Sequence, residues 1–255
     1  MPSEQPQDEK DYVKFGDGYE DRLKRLKSIA EELLPHYGAH WHKHTSNVMR
    51  VEAMARLLYL QSLYLKILDV PGVICEFGVR FGATTTTLSN LRAIYEPFNY
   101  SRTLYGFDTF EGLLGTNKSD GELAKDGDFS VPIGFEETLC EILDLMEKDS
   151  PVSHVKKFEL IKGDATKTID KWLLDNPHAI ISMAIFDMDI YQPSREVLTK
   201  ILPRLVKGSV IAFDEINYAD FPGETLALND VLGLNNLRLY RTSIQTHCAW
   251  MIWGE

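Results

Sequence analysis

Five short apolar runs, at residues 73–77, 103–107, 158–162, 180–186 and 209–213, constrain the fold of this chain more than any other feature. Helix-like segments separate them, and that alternation implies parallel strands joined by crossover helices. The run at 180–186, Ile-Ile-Ser-Met-Ala-Ile-Phe, is nearly all apolar, as expected of a central parallel strand covered on both faces. The expected architecture is an open, doubly wound, mostly parallel α/β sheet. Two further strand candidates, 237–242 and 249–253, lie at the C-terminal end.

Upstream of this pattern the chain reads as a helical extension. Residues 1–20 are expected to form a flexible tip. Residues 21–34 place Leu23, Leu26, Ile29, Ala30, Leu33 and Leu34 at helical spacing, and Pro35 stops that helix. A longer apolar helix follows over 48–68 and ends at Asp69-Val70-Pro71-Gly72. The expected division is an N-terminal extension and substrate-pocket region over 1–70, then the α/β domain over 71–255. Between the two helices stand His36, His40, His42 and His44, with Trp41 among them. They lack the H-E-x-x-H or Cys-containing context of a zinc site, and a polar, aromatic loop flanking the pocket is the competing reading. Residues 114–134, rich in Gly, Asp, Ser and Lys, form either an active-site lid or a surface loop.

Composition excludes several classes. With 255 residues, 44% hydrophobic and 25% charged, the chain has the makeup of a soluble globular protein. A net charge of −11 argues against a nucleic-acid partner, because such proteins carry a basic face. No apolar run approaches ~18 residues, so no membrane span is expected. Residues 1–11 are polar and acidic without a signal-peptide pattern, which points to the cytoplasm. Cys75, Cys140 and Cys248 are odd in number and show no C-x-x-C spacing, so they read as buried thiols in a reducing compartment.

The first run leads into the candidate site. Glu76, Gly78 and Gly82 form E-x-G-x-x-x-G, with Gly78 and Gly82 bracketing a tight turn and Thr84 to Leu91 opening a helix. Glycine lets the main chain approach a ligand closely, and the free N–H groups of a first helical turn face it. The spacing is not the G-x-G-x-x-G of a pyrophosphate binder, which favours a nucleoside carrying an amino-acid tail over a dinucleotide.

Acids follow four of the strands: Asp108, Asp164, the pair Asp187 and Asp189, and Asp214-Glu215. Ligands of open α/β sheets bind beyond the carboxyl ends of the strands, so these residues are expected to gather at one edge. Asp108 would accept hydrogen bonds from a ribose diol, or else cap a helix over 109–111. Asp187, Asp214 and Glu215 would converge between neighbouring strands. Three close carboxylates repel unless neutralised, and hard oxygen ligands suit Mg²⁺; paired or protonated carboxylates without a metal are the alternative.

Four segments then carry a family resemblance. They are Cys-Glu-Phe-Gly-Val-Arg-Phe-Gly at 75–82, Tyr-Gly-Phe-Asp-Thr-Phe-Glu-Gly at 105–112, Phe-Asp-Met-Asp-Ile-Tyr-Gln-Pro-Ser at 186–194 and Ala-Phe-Asp-Glu-Ile-Asn at 212–217. The chain resembles the class I S-adenosylmethionine (SAM)-dependent methyltransferases, with a Rossmann-like fold. More narrowly it is similar to the macrocin O-methyltransferases, which methylate sugar hydroxyls of macrolide, aminocoumarin and related glycosides. The resemblance implies SAM held at its methionine end by Glu76, Gly78 and Thr84, at its ribose by Asp108, and at its adenine by Asp164 and Ala165. It implies Mg²⁺ on Asp187, Asp214 and Glu215, and Asp189 as general base. Many relatives carry Asp-Asp where this chain has Asp214-Glu215, which puts the third ligand in question. The continuation Phe-Pro-Gly-Glu-Thr at 221–225 resembles a branch that acts on sugars of natural products or surface glycans.

The chemistry follows from the residues as well. A sulfonium methyl is already activated, so the protein must align an oxygen behind it, acidify that hydroxyl and supply a base. Asp189 fits the base if the chain stays extended from Asp187, since side chains two apart then share a side. A helix cap near Pro193 is its other reading. The expected partner is a small-molecule glycoside or sugar acceptor, and a homo-oligomer is expected. Competing functions are methylation of a catechol-like diol, nucleotide-dependent oxidoreduction, and SAM binding without turnover.

Overall fold

Each of the five apolar runs forms a strand, and the helices between them return the chain to the same edge of one sheet. The computed structural model describes residues 17–255. In it, β1 (Val73–Phe77), β2 (Leu104–Asp108), β3 (Phe158–Lys162), β4 (Ile181–Phe186) and β5 (Leu205–Phe213) pair in parallel. Two short strands, β6 (Tyr240–Arg241) and β7 (Ala249–Ile252), complete the order β3-β2-β1-β4-β5-β7-β6, with β7 antiparallel to both neighbours. This is the Rossmann-like, doubly wound arrangement expected. β5 begins earlier than the sequence reading placed it, because Leu205 already pairs with Ile181. The candidate at 237–242 shrinks to two residues.

The α2 (Val51–Tyr64), α3 (Ala83–Tyr95) and α4 (Phe135–Lys148) helices lie on one face, and α5 (Ala165–Asp175), α6 (Tyr191–Ile201) and α7 (Gly223–Leu232) on the other. Strand alternation makes two cores. Met183 and Ile185 of β4, with Val210 and Ala212 of β5, pack among Leu60, Leu63, Leu88 and Leu139. Ala184 and Phe186, with Ile211 and Phe213, pack among Ile169, Val197, Leu198 and Leu228. Both faces of β4 are therefore dry, which is why its sequence shows no polar alternation.

The chain divides into two compact units, one ending at Met54 and one spanning Ala55–Glu255. Residues 1–16 of the expected flexible tip lie outside the described residues, while 19 and 20 begin α1 (Tyr19–Leu33). Pro35 ends the α-helical pattern without ending the winding: Leu34–Lys43 continues as 3-10 turns, broken at Gly38 and His40. The histidine-rich stretch is thus wound, not a loop. Among the described residues, the carboxylate cluster that could hold a metal ion contains no histidine. No helix among them is long and apolar enough to cross a membrane.

Arg102, 2% exposed, fastens the entry to the sheet. Its guanidinium donates to the carbonyls of Ile67, Val70 and Gly72 and to Ser182 Oγ, at 2.8–2.9 Å, and grips both oxygens of Glu96. Removing one member of a buried, hydrogen-bonded ion pair strands the other. Arg102→Met is expected to cost about 3–5 kcal/mol in urea denaturation. A loss below about 1 kcal/mol would show that water replaces these bonds.

Candidate active site

The acids share one edge because the strand ends are in register. Phe107, Phe77, Phe186 and Phe213 pair across β2-β1-β4-β5. Their rings pack at centroid separations of 4.8, 5.3 and 5.0 Å, the outer two pairs stacked and the Phe77–Phe186 pair tilted. Such ring pairs contribute about 0.5–1.5 kcal/mol each beyond burial. The residue after each phenylalanine lies at the same level: Asp108 as the last residue of β2, and Gly78, Asp187 and Asp214 just past their strands. Ladder bonds run on into these residues, with Gly78 N donating to Phe107 O (2.9 Å), Asp187 N to Phe77 O (2.8 Å) and Asp214 N to Phe186 O (3.0 Å).

Near the end of β1, Glu76 is 4% exposed and accepts a short hydrogen bond from Thr85 Oγ1. Burial pushes its carboxyl from 4.5 up to about 8. Gly78 sits at φ 93°, and a Cβ there would lie 1.7 Å from the Asp187 carbonyl oxygen. The close approach that requires glycine is therefore made by the chain's own β4 loop, a correction to the expectation that the space serves a ligand. Gly78→Val is expected to lower stability by roughly 2–4 kcal/mol in urea denaturation and to displace the β4 loop. Wild-type stability in this variant would show that the two turns can part freely. Gly82, at φ 77°, precedes α3 and faces the Leu139 side chain. Thr84 is buried in the first turn of α3, a helix start with no side-chain cap.

Asp108 does not cap a helix over 109–111. Its Oδ2 accepts from the Val79 and Arg80 amides at 2.6 and 2.7 Å, and its Oδ1 from Phe110 N at 2.6 Å. The carboxylate braces the glycine turn, and a ribose would share oxygens already in use. Asp164 caps α5, accepting from Thr166 N and Thr166 Oγ1 at 2.9 and 2.7 Å, with Ala165 the first helical residue. Partial burial raises the Asp164 pKa, but these bonds and Lys167 bring it below the ordinary value.

Ligand atoms of Asp187, Asp214 and Glu215 all lie within 4.8 Å of one another. Withdrawal from water, and then the Asp214 charge, push Asp187 well above the usual carboxylate range. Glu215 rises for the same reason, with Asp189 and Asp214 as its charged neighbours. Glu215 Oε2 is buried without a hydrogen-bond partner, an orphaned acceptor that a cation would satisfy. Oxygen donors at this spacing suit a hard divalent ion, and the longer Glu side chain reaches the cluster.

Two residues missed in the sequence complete the cluster. Arg56 of α2 donates through Nη1 to Asp214 Oδ1 in a short contact and through Nη2 to Asp187 Oδ2 at 3.2 Å. Burial opposes its charge, yet Asp214 and Asp187 raise its pKa overall. Glu224, fully buried at the start of α7, accepts from Met188 N, Asp214 N and Glu215 N, each at 3.1 Å. It thereby ties the β4 and β5 loops to each other. An arginine among the apolar residues of α2 was a signal for the first; nothing but the 221–225 motif marked the second.

Asp189 departs from the extended path expected of it. Its φ is 62°, so the same-side argument from Asp187 does not apply. A Cβ on Gly223 would lie 2.5 Å from the Asp189 carbonyl, which shows how tightly this turn is packed. Burial, and then the Asp214 charge, push the Asp189 carboxyl up to about 7, while Arg80 and a hydrogen bond with Glu215 pull it down. Nor does Asp189 cap the next helix: the Tyr191 amide at the start of α6 donates to Asp120 Oδ1 at 2.6 Å. Asp120 is fully buried, so the 114–134 segment is pinned beside the site at this point.

The chain matches no protein-family model and no curated protein. Solved structures do match it. The crystal structure of CalS11, calicheamicin methyltransferase, is 37% identical, with a TM-score of 0.90 over 100% of both chains. The apo structure of CalS11, a TDP-rhamnose 3'-O-methyltransferase of calicheamicin biosynthesis, is 35% identical, with a TM-score of 0.82 over 95% of this chain and 97% of that one. The O-methyltransferase NovP shares the fold at 16% identity, with a TM-score of 0.59 over 78% of this chain and 79% of its own.

Proposed function

The chain belongs to the family of CalS11, within the class I SAM-dependent methyltransferases, and from that premise we propose that it transfers the SAM methyl to a sugar hydroxyl with the help of a divalent cation. The acceptor is a sugar of a glycosylated natural product or its nucleotide-linked precursor, and the four motif segments favour the macrocin branch. The observation that carries this reading is the clustering of Asp187, Asp214 and Glu215, with an orphaned Glu215 oxygen, at the edge where Glu76 lies buried at the end of β1 before the glycine turn.

Glu76 takes the cofactor's ammonium, and the first-turn amides of α3 with Thr84 face its carboxylate. Asp108 and Asp164-Ala165 flank the nucleoside. SAM supplies a methyl on a good leaving group. Asp187, Asp214 and Glu215 would hold Mg²⁺, which supplies Lewis acidity toward the acceptor oxygen. Asp189 takes the hydroxyl proton as the oxygen–methyl bond forms and the sulfur–methyl bond breaks, giving a methyl ether and S-adenosylhomocysteine (SAH).

Glu76 gives this reading a pH signature. Its folded pKa of about 8 lies above 4.5, so the folded protein holds the extra proton. Its contribution to unliganded stability therefore falls as pH rises from about 4.5 to about 8. A ligand ammonium favours the ionised carboxylate, so SAH binding at about pH 7 is expected to release a proton. Calorimetry in buffers of different ionisation enthalpy measures that proton, and Glu76→Gln should abolish it. Heat that is independent of buffer, or tight binding of NAD with none of SAH, contradicts the cofactor assignment.

A further inference from the structure

Arg56 occupies the place where a cation is needed. Its guanidinium bridges Asp214 Oδ1 and Asp187 Oδ2, two of the three carboxylates of the cluster. It also donates to Thr84 Oγ1 at 3.3 Å and to Cys248 Sγ at 3.4 Å. Asp214 Oδ1 accepts a second hydrogen bond from Cys248 Sγ at 3.1 Å, so both of its lone pairs are committed. Glu215 Oε2, by contrast, has no partner. The guanidinium thus neutralises the two aspartates and does not reach Glu215 Oε2.

We propose that Arg56 is the resident counter-ion of this carboxylate cluster and competes with a divalent cation for Asp187 and Asp214. The proposal rests on the metal-site reading above. A small divalent ion demands direct oxygen contact at about 2.0–2.1 Å from each ligand. The guanidinium holds one oxygen of each of these two carboxylates and carries charge of the same sign, so it opposes the ion at both. Arg56 therefore gives up these bonds as the ion enters. The side chain is 22% exposed, and its stem runs from α2, so the head can rotate away without unfolding the helix. Loss of its two ion pairs sets the cost of metal entry, and the affinity of the unliganded site for the metal is correspondingly weak.

The test is Mn²⁺ binding to the full chain without cofactor, followed by calorimetry and by the electron paramagnetic resonance signal of free Mn²⁺. Arg56→Met keeps the stem and removes the charge. It is expected to bind Mn²⁺ roughly 10–100-fold more tightly than wild type, the range commanded by close charge pairs. Arg56→Lys, which keeps one charge but cannot bridge two carboxylates, should fall between them; it carries the test alone if Arg56→Met does not fold. Arg56→Met should also melt lower than wild type without metal and regain more on adding Mn²⁺. Equal affinity in wild type and both variants, lost in Asp214→Asn, would overturn the competition while leaving the metal site standing. No binding by any of them would overturn the metal site and the competition together. Tight binding that survives Asp214→Asn in the Arg56→Met background would place the ion elsewhere and overturn the proposal.

Discussion

Asp189→Asn is expected to slow methyl transfer by roughly 10²–10⁴-fold, the contribution of one positioned base, while SAH binding stays within a few-fold of wild type. The substitution preserves shape and removes the proton acceptor. Asp189 suits the task because its carboxyl is buried next to Asp214 and Glu215, where the charge of a bound cation would keep it ionised and able to accept a proton. Its position is fixed by the left-handed turn at φ 62° and by the packing of Gly223 against its carbonyl. Single-turnover rates with bound SAM, measured across about pH 6 to 9, separate the base from a structural carboxylate. A variant that turns over within a few-fold of wild type throughout that range would assign the proton to another group.

Removing divalent cations is expected to have a comparable effect. Excess chelator should reduce turnover by roughly 10²–10⁴-fold, since Lewis-acid stabilisation amounts to several kcal/mol, and Mg²⁺ should restore it. SAH affinity should change little, because Glu76 and the glycine turn are built without the cluster's oxygens. The electrostatics motivate the expectation: Asp187 and Glu215 are both driven well above the ordinary carboxylate range by burial and by one another's neighbours. Arg56 relieves only part of that repulsion, since Glu215 Oε2 remains without a partner. Full activity in chelator, with no metal found by elemental analysis, would make Arg56 the permanent cation of the site.

The strand ends were legible because one physical rule links them. A short apolar run ending in an acid marks both a buried strand and its carboxyl end, so Phe107, Phe186 and Phe213 located the edge and its acids at once, with Phe77 and the glycine turn at the same level. What the sequence hid depends on long-range side-chain reach. Arg56 lies on a helix whose periodicity reports which face is buried but not that one polar head crosses to β4 and β5. Glu224 is separated from Met188 by the whole of α6 and β5, and its bonds go to backbone amides, which leave no residue-type signature. Asp108 was placed correctly at its strand end, yet its carboxylate is turned inward onto the Val79 and Arg80 amides. The left-handed backbone at Asp189 was also invisible, because such conformations in non-glycine residues depend on tertiary surroundings, here a turn packed closely against Gly223.

The most direct test of the account is the fate of a labelled methyl group. The protein, Mg²⁺, SAM carrying a deuterated methyl and a nucleotide-linked deoxysugar such as TDP-rhamnose are incubated together, and the products are read by mass spectrometry and NMR. The account predicts SAH and a sugar carrying the labelled methyl as an ether on one ring hydroxyl, with none formed by Asp189→Asn at comparable times. Label appearing on a catechol but on no sugar hydroxyl, or SAM bound without any transfer in the presence of metal and sugar acceptors, would contradict it.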